Sequence, residues 1–297
     1  MKKSSWWEFG IERAVQLAGV SAIVFVILIL LFLIRESVPG FADVSPGELL
    51  GERWYPTEGR YGLLPLIAGS LLVVLGAAVM ALPLGLATAI FVAEVSPRWA
   101  REVLKPLIEV LAGIPSVVLG FIGMLVLAPS VRILTGAPTG LTAFTGSLLL
   151  ALMALPTIVS VAEDAIDAVP KSYRDGALAL GATRWQTTWR VVLPAARSGI
   201  LTAMMLGIGR AIGETMTVMM VTGNAARIPK RIGDLFYPVR TMTATIAAEM
   251  GEVAQASTHY HVLFVIGISL FLISFLINLA AAIVVFRQAR RSERVLS

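Results

Sequence analysis

The chain contains no cysteine and only two histidines, His259 and His261. The absence of cysteine excludes disulfides, thiolate catalysis and cysteine-ligated zinc or iron–sulfur centres. The two histidines are two positions apart, which is not the spacing of a helical zinc pair, and no His-Glu-x-x-His sequence occurs. We therefore predict that the chain binds no metal.

Charged residues are also scarce. They make up 14% of the 297 residues, whereas 57% are hydrophobic. Soluble domains carry about 25% charged and about 45–50% apolar residues. A large soluble core would not remove so many charges, but a surface that faces lipid would. The composition therefore predicts a membrane protein with several spans.

A phosphate-binding loop is missing as well. The pattern Gly-x-x-x-x-Gly-Lys-Ser/Thr does not occur, and no glycine is followed by lysine anywhere in the chain. A backbone cradle for phosphates, with its lysine, is what P-loop ATPases need. We predict that the chain neither hydrolyses ATP nor binds a cofactor, and that it is not an enzyme.

Six apolar stretches are long enough to cross a bilayer, which takes about 20 residues at ~1.5 Å rise. The predicted spans are Ala14–Ile34, Tyr61–Ala93, Val110–Val131, Ile133–Ala162, Ser198–Ala226 and Val253–Phe286. The first span is too long for the apolar core of a signal peptide and no convincing cleavage site follows it, so we expect a retained anchor. The fold class is predicted to be all-α with six transmembrane helices.

The lysines and arginines predict both termini in the cytoplasm. The four inner segments (1–13, 94–109, 163–197 and 287–297) carry 15 of them, and the outer segments carry 8. Such an excess marks the cytoplasmic side of membrane proteins. The net charge of +5 fits basic anchors of this kind, although an anionic partner would also explain it.

The longest inner segment has the pattern of two short helices separated by a glycine. Pro170 can begin a helix, because its missing N–H would be unpaired there anyway. Ser172 with Asp175 forms an approximate capping box, and Gly181 is a natural stop.

A second helix is predicted over Arg184–Leu193, with Trp185 and Trp189 on one face. Pro194 is expected to mark the turn toward the fifth span. Such a helix pair either docks onto a partner protein or lies on the membrane surface as an amphipathic linker. The local chemistry leaves both possibilities open.

The same segment resembles the coupling-loop signature of binding-protein-dependent, ATP-driven importer permeases. That signature is Glu-Ala-Ala, three residues, Gly, nine residues and Ile-x-Leu-Pro, and here Asp175-Gly-Ala, Gly181 and Val191-x-Leu-Pro194 have the same spacing. The resemblance implies the type I ABC importer permease fold and separate ATPase subunits that use ATP and Mg²⁺. It implies a coupling loop over residues 170–194. The residues that it assigns to ATPase coupling are Arg174, Asp175, Gly176, Ala177, Gly181, Trp185, Leu193 and Pro194.

Arg210 and Glu214 lie in the fifth predicted span, near the bilayer midplane. A charge at that depth costs from ~3 to more than 10 kcal/mol, so intramembrane charges usually have a function. Four positions apart on one helix, the two side chains can meet. They either line a pathway in which the arginine binds an oxyanion or form a structural ion pair. With Thr215 and Thr217 they form the predicted translocation site.

The strings Leu111–Gly120 and Gly209–Val218 resemble the phosphate-specific branch of the importer family, and most of all its C-type permease subunit. The resemblance implies phosphate passage at Arg210 and Glu214. It implies a heterodimer with a sister permease, two ATPase subunits and an extracytoplasmic phosphate-binding protein, all at a bacterial or archaeal cytoplasmic membrane. No nucleic-acid partner is expected.

Three alternatives stay open. They are an A-type sister subunit or a permease for another oxyanion, an ion-coupled secondary transporter, and an intramembrane enzyme that uses Glu214. The predicted organisation is an N-terminal segment (residues 1–62) with the first span and an outer loop, a permease core (63–290) with five spans, and a cytoplasmic tail (291–297).

Overall fold

A computed structural model describes the backbone of residues 6–296 and the side chains of residues 9–231, 233–280 and 282–283. Helices dominate this part of the chain. In order they are α1 (Trp6–Asp43), α2 (Pro46–Leu49), α3 (Leu64–Ile90), α4 (Arg98–Gly113), α5 (Ser116–Ile122), α6 (Ala128–Thr135), α7 (Ala143–Asp167), α8 (Lys171–Ala179), α9 (Arg184–Thr187), α10 (Leu193–Gly213), α11 (Met216–Val221), α12 (Met242–Glu249) and α13 (Thr258–Leu296).

Short segments join or extend these helices. Strands β1 (Trp54–Tyr55) and β2 (Arg60–Tyr61) form an antiparallel hairpin. Turns of 3-10 helix cover Pro56–Glu58 and Ile232–Phe236, and π-helical turns cover Phe91–Val95, Gly123–Leu127 and Thr188–Val192. The second π turn makes α5 and α6 one span, and the third joins α9 to α10.

Six helices in the described part are long and apolar enough to cross a membrane. They are Phe9–Asp43, Leu64–Val95, Ser116–Thr135, Ala143–Asp167, Arg184–Gly213 and Thr258–Ala280. This confirms the predicted all-α architecture with six spans. The predicted cytoplasmic tail and the two N-terminal lysines used for the charge count lie outside the residues whose side chains are described.

Several predicted span boundaries are wrong. The third span begins at Ser116 and not at Val110, because Ile114 and Pro115 adopt extended backbone conformations that end α4. The fourth span begins at Ala143, capped by the side chain of Thr142, which accepts a hydrogen bond from the N–H of Thr145. The residues before Ser116 form a separate helix, α4, whose charged side chains lie against the end of α7.

The fifth span also ends earlier than predicted, at Gly213 and not near Ala226. Glu214 has an extended conformation (φ −70°, ψ 125°). Its carboxylate accepts a hydrogen bond from the N–H of Thr217 at 3.2 Å. Side chains that bind backbone N–H groups in this way begin helices and compete with their continuation. A new short helix, α11, follows.

The fourth span, α7, is the central helix of the bundle, with α3 and α10 packed along it. Glycines allow the close approach. A β-carbon at Gly207 of α10 would collide with the side chain of Ile158, and one at Gly85 of α3 would lie 2.7 Å from another carbon of the same residue. The first span is different, because it packs mainly along α13 and leaves most of its apolar side chains exposed.

Candidate translocation and coupling sites

The polar residues of the fifth span lie where two helical runs are interrupted. One interruption, at Ile114–Pro115, separates α4 from α5, and the other, at Glu214–Thr215, separates α10 from α11. The helices α5 and α11 pack together, and the hydroxyl of Thr217 donates to the carbonyl of Ser116 at 2.9 Å. Helix ends carry backbone groups without intrahelical partners, so two adjacent interruptions concentrate polar groups between apolar spans.

Arg210 is exposed on the surface of the chain and bridges three helices. One terminal nitrogen donates to the hydroxyl of Thr157 on α7 at 3.1 Å, and the other donates to the carbonyl of Ala112 on α4 at 3.4 Å. The predicted pairing with Glu214 is wrong, since the described side chains include no ion pair between the two residues. The helix ends at Gly213, so the spacing that brings side chains together within a helix does not extend to Glu214.

The other predicted translocation residues fix the second interruption. The carboxylate of Glu214 caps α11, and its backbone carbonyl accepts a hydrogen bond from Thr243 at 3.2 Å. Thr215 donates to the carbonyl of Gly213 at 3.2 Å, and Thr217 is buried. The structure thus places Arg210 on an exposed face and gives the other three residues backbone partners.

Three contributors to this site were not predicted: the hydroxyls of Thr157 and Thr243 and the carbonyl of Ala112. Thr157 follows Pro156 in the fourth span, and a hydroxyl beside a helix proline is a weak sequence signal at best. Its contact with Arg210 depends on how two spans pack. Ala112 becomes an acceptor only because α4 ends just beyond it.

In the predicted coupling loop, α8 begins one position after Pro170, whose extended conformation (φ −55°, ψ 139°) makes it the N-cap. The predicted capping box of Ser172 and Asp175 is therefore wrong, because both residues lie inside the helix. A true capping box occurs at the next helix, where Thr183 and Gln186 exchange bonds of 2.9 and 3.2 Å.

Gly181 ends α8 as predicted. Its φ is +84°, in the left-handed region. Its N–H donates to the carbonyl of Leu178 at 2.9 Å, and the N–H of Ala182 donates to the carbonyl of Ala177 at 3.1 Å. This pair of bonds is the Schellman motif, which glycine makes at least cost.

The helix that follows does not turn at Pro194, so that prediction is wrong. From Arg184 the helix continues through the π turn into α10, without a break before Gly213. The wider turn lets the N–H of Leu193 bond the carbonyl of Thr188 just before the proline, where a proline inside regular helix would clash one turn back.

The exposed side of this helix pair is aromatic and apolar. Trp185 and Trp189 pack edge to face with ring centroids 5.4 Å apart, which confirms that they share a face. Leu180 at the turn is 91% exposed, and Trp185 is 63% exposed. Asp175 and Gly176 are exposed beside them.

Arg174 faces inward instead. Its guanidinium pairs with Glu94 at 2.8 Å and donates to the carbonyls of Val169 and Ile166 at 2.6 and 2.9 Å. The same glutamate accepts a hydrogen bond from Thr188 at 3.4 Å. Arg174 therefore anchors α8 to the ends of the second and fourth spans.

A second charged cluster joins α4 to α7 nearby. Glu163, whose side chain is 2% exposed, pairs with Arg101 at 2.6 Å and with Lys105 at 3.1 Å. Arg101 also pairs with Asp167. The hydrogen bond that Lys105 donates to Glu163 is the main reason why the pKa of Lys105 is raised above its ordinary value. A cleft of about 610 Å³ lies between this cluster and α8.

In the loop between α11 and α12, Asp234 accepts bonds from the N–H groups of Lys230 and Arg231 at 2.6 and 3.1 Å, and pairs with Arg227 at 3.0 Å. The two backbone hydrogen bonds are the main reason why the pKa of Asp234 lies below its ordinary value.

Glu249, at the end of α12, pairs with Arg240 at 2.5 Å and lies 2.8 Å from His259 near the start of α13. It also accepts a hydrogen bond from the indole of Trp54 at 3.2 Å. In the described part of the chain, no three His, Cys, Asp or Glu side chains are grouped so that they could hold a metal ion.

Comparison with protein families adds the decisive observation. The model of the family "binding-protein-dependent transport system inner membrane component" matches residues 81–291. The chain belongs to this family. The matched range contains both helix interruptions and the predicted coupling loop. The permease is therefore a transport subunit of an ABC importer and not an enzyme, and it works with an ATPase and a substrate-binding protein.

Individual relatives agree. The permease is 42% identical over 236 residues to the probable ABC transporter permease protein YqgH of Bacillus subtilis, covering 78% of this chain and 75% of the relative. It is 35% identical to the phosphate transport system permease protein PstC of Xylella fastidiosa (strain Temecula1), covering 80% and 78%.

A solved structure supports the fold. A chain of the bacterial alginate ABC transporter, in complex with an alginate-bound periplasmic protein, superposes with a TM-score of 0.63 at 13% identity, covering 94% of this chain and 96% of that one. The permease is thus a multi-pass membrane protein with the type I ABC permease fold.

Proposed function

We propose that this permease forms part of the translocation pathway of an importer for inorganic phosphate. It would pair with a sister permease in a heterodimer, with two ATPase subunits and an extracytoplasmic phosphate-binding protein. The location would be a bacterial or archaeal cytoplasmic membrane, with both termini in the cytoplasm. The exposed guanidinium of Arg210 on an apolar span is the observation that carries this proposal.

Arg210 is exposed on the surface of an apolar span. A guanidinium on the surface of an apolar span is costly against lipid, so such residues face a partner chain or a water-filled pathway. An arginine has five N–H donors in a fixed fork that suits a tetrahedral oxyanion. Thr157 and Ala112 take one hydrogen bond each from the terminal nitrogens, which leaves donors for an anion. Names of relatives such as the Xylella protein favour phosphate among oxyanions.

The remaining translocation residues receive new roles in this proposal. The carboxylate of Glu214 accepts a hydrogen bond from the N–H of Thr217 and so fixes the interruption that follows α10, the helix of Arg210. Its charge still balances that of the arginine when the pathway is empty. Thr215 and Thr217 keep the interrupted backbone in place through their bonds to Gly213 and Ser116.

Coupling is proposed at the exposed face of α8 and α9. The apolar surface of Leu180, Trp185 and Trp189 would fit a cleft of the ATPase, which binds ATP and Mg²⁺. Asp175, Gly176, Ala177 and Gly181 would shape that surface, whereas Arg174, Leu193 and Pro194 connect it to the spans.

Uptake of labelled inorganic phosphate by the assembled transporter tests the proposal. An Arg210→Gln variant should lose at least about tenfold in rate, because a charged, bidentate donor is replaced by a neutral one. Arg98→Gln, an exposed arginine of α4 outside the spans, is the matched control. Uptake of labelled sulfate distinguishes another oxyanion from phosphate. Normal phosphate uptake by Arg210→Gln would contradict the proposed role.

A further inference from the structure

Several threonines in the helices of this permease bond a carbonyl of their own helix, whereas Thr217 and Thr243 bond carbonyls of other segments. Thr88, Thr202 and Thr222 each donate a hydrogen bond to the carbonyl four residues earlier in the same helix, at 2.8, 2.9 and 2.8 Å. Such bonds satisfy a hydroxyl inside an apolar span without any tertiary partner. They are therefore structural.

Thr157 differs from Thr88, Thr202 and Thr222. Within the described residues, its hydroxyl contacts the guanidinium of Arg210 and no carbonyl of its own helix. The residue lies on α7, the central helix, and both of its sequence neighbours, Pro156 and Ile158, are buried. The hydroxyl is thus held on the central helix and directed at the charged side chain of Arg210.

Arg210 makes a longer hydrogen bond to its second partner, the carbonyl of Ala112. The carbonyl of Ala112 is in the last turn of α4, where carbonyls lack intrahelical partners. Its distance from the guanidinium nitrogen is 3.4 Å, against 3.1 Å for Thr157. Hydrogen bonds weaken as they lengthen, so the bond from Arg210 to the carbonyl of Ala112 is easier to break than the bond to Thr157.

We propose that Thr157 is a positioning residue, which holds the guanidinium of Arg210 across the pathway and leaves the donor now on the Ala112 carbonyl for a passing oxyanion. The carbonyl oxygen occupies the place of an anion oxygen while the pathway is empty. An arriving phosphate oxygen replaces this carbonyl oxygen, and the hydrogen bond to Thr157 keeps the guanidinium of Arg210 in position. This inference rests on the function proposed above for Arg210.

The experiment compares Thr157→Val, which keeps the volume and removes the hydroxyl, with Thr157→Ser, which keeps the hydroxyl. Uptake of labelled inorganic phosphate is measured in the assembled transporter. Thr157→Val should lower the maximal rate about tenfold, as loss of a hydrogen bond to a charged group does, and Thr157→Ser should restore most of it. The half-saturating concentration should stay constant, because capture by the binding protein sets it.

A double-mutant cycle separates positioning from a merely structural role. In an Arg210→Gln background, Thr157→Val should cause no further loss, since the group that it positions is already gone. Thr202→Val, which removes a hydroxyl that donates to Ser198 within α10, is the matched control and should transport normally. Thr157→Ala, which is too small to clash, repeats the measurement if the valine variant assembles poorly.

Two results would overturn the inference: normal uptake by the valine or alanine variant, or a loss that is equally large with and without Arg210. The proposed function is tested separately. Normal uptake by Arg210→Gln alone would defeat that function, whereas a defective Arg210→Gln beside a normal Thr157→Val defeats only the positioning role.

Discussion

Replacing Gly181 by alanine isolates the contribution of one backbone angle to the coupling loop. The glycine has φ +84°, and a β-carbon built on it meets no atom within 4 Å. The substitution therefore introduces no clash, and only the left-handed conformation opposes it. That conformation costs an L-residue about 1–2 kcal/mol. The cost should weaken the Schellman bonds that end α8.

Gly176 provides a control in the same helix. A β-carbon there also meets nothing within 4 Å, but the residue lies inside α8 with ordinary helical geometry. Alanine in a helix interior is favoured over glycine by about 0.5–1 kcal/mol. The same chemical change five positions apart should therefore have opposite signs, with a difference of about 1.5–3 kcal/mol between the variants.

Hydrogen exchange of the purified permease measures both effects. In Gly181→Ala, the amides of residues 180–182 should exchange about 5–30 times faster, the factor that corresponds to about 1–2 kcal/mol. In Gly176→Ala, the same amides should exchange more slowly. If Gly181→Ala exchanges like the wild type, or if both variants change in the same direction, the left-handed cap does not control the end of α8.

Three further measurements follow from the described contacts. Glu163→Gln removes the buried counter-charge that Arg101 and Lys105 share, and leaves them the more exposed Asp167 and Asp164. Thermal unfolding in detergent should therefore show a loss of about 1–3 kcal/mol; an unchanged midpoint contradicts this. Gly207→Ala collides with Ile158, whose Cδ1 would lie 2.7 Å from the new carbon, and should cost about 1–3 kcal/mol, whereas Gly209→Ala should be near neutral; equal effects would refute the packing argument. Because the pKa of Asp234 is lowered on folding, its contribution is full above its ordinary value of 3.8 and is lost as the pH falls through the lowered value. Protection of the 227–237 amides, taken relative to their intrinsic exchange rate at each pH, should therefore fall on acidification from about pH 6 to about pH 3, and in Asp234→Asn it should not depend on pH in this way.

The features that could be predicted from sequence are those that depend on local or solvent constraints. The bilayer requires about 20 apolar residues per helix, so the length and position of the apolar stretches predicted six spans. Gly181 could be recognised because few other residues accept its backbone angle, and the helical period placed Trp185 beside Trp189.

The features that sequence reasoning missed depend on where helices stop and how they pack. Arg210 and Glu214 have the spacing of an intrahelical pair, but the helix ends between them. The contact of Arg210 with Thr157 joins residues 53 positions apart, and nothing local specifies it. Glu163 could be placed at the predicted cytoplasmic edge of a span. Its burial follows from the packing of α4, most of which was predicted to lie in an inner segment between two spans.

The uninterrupted helix from Arg184 to Gly213 has a mechanical consequence. It spans 30 residues, or about 45 Å, and carries Trp185 near one end and Arg210 near the other. A rigid rod of this length that tilts by about 10° about its centre moves each end by about 4 Å in opposite directions. A force applied to the indole pair therefore reaches the guanidinium as a displacement, through a lever that contains no loop to absorb it.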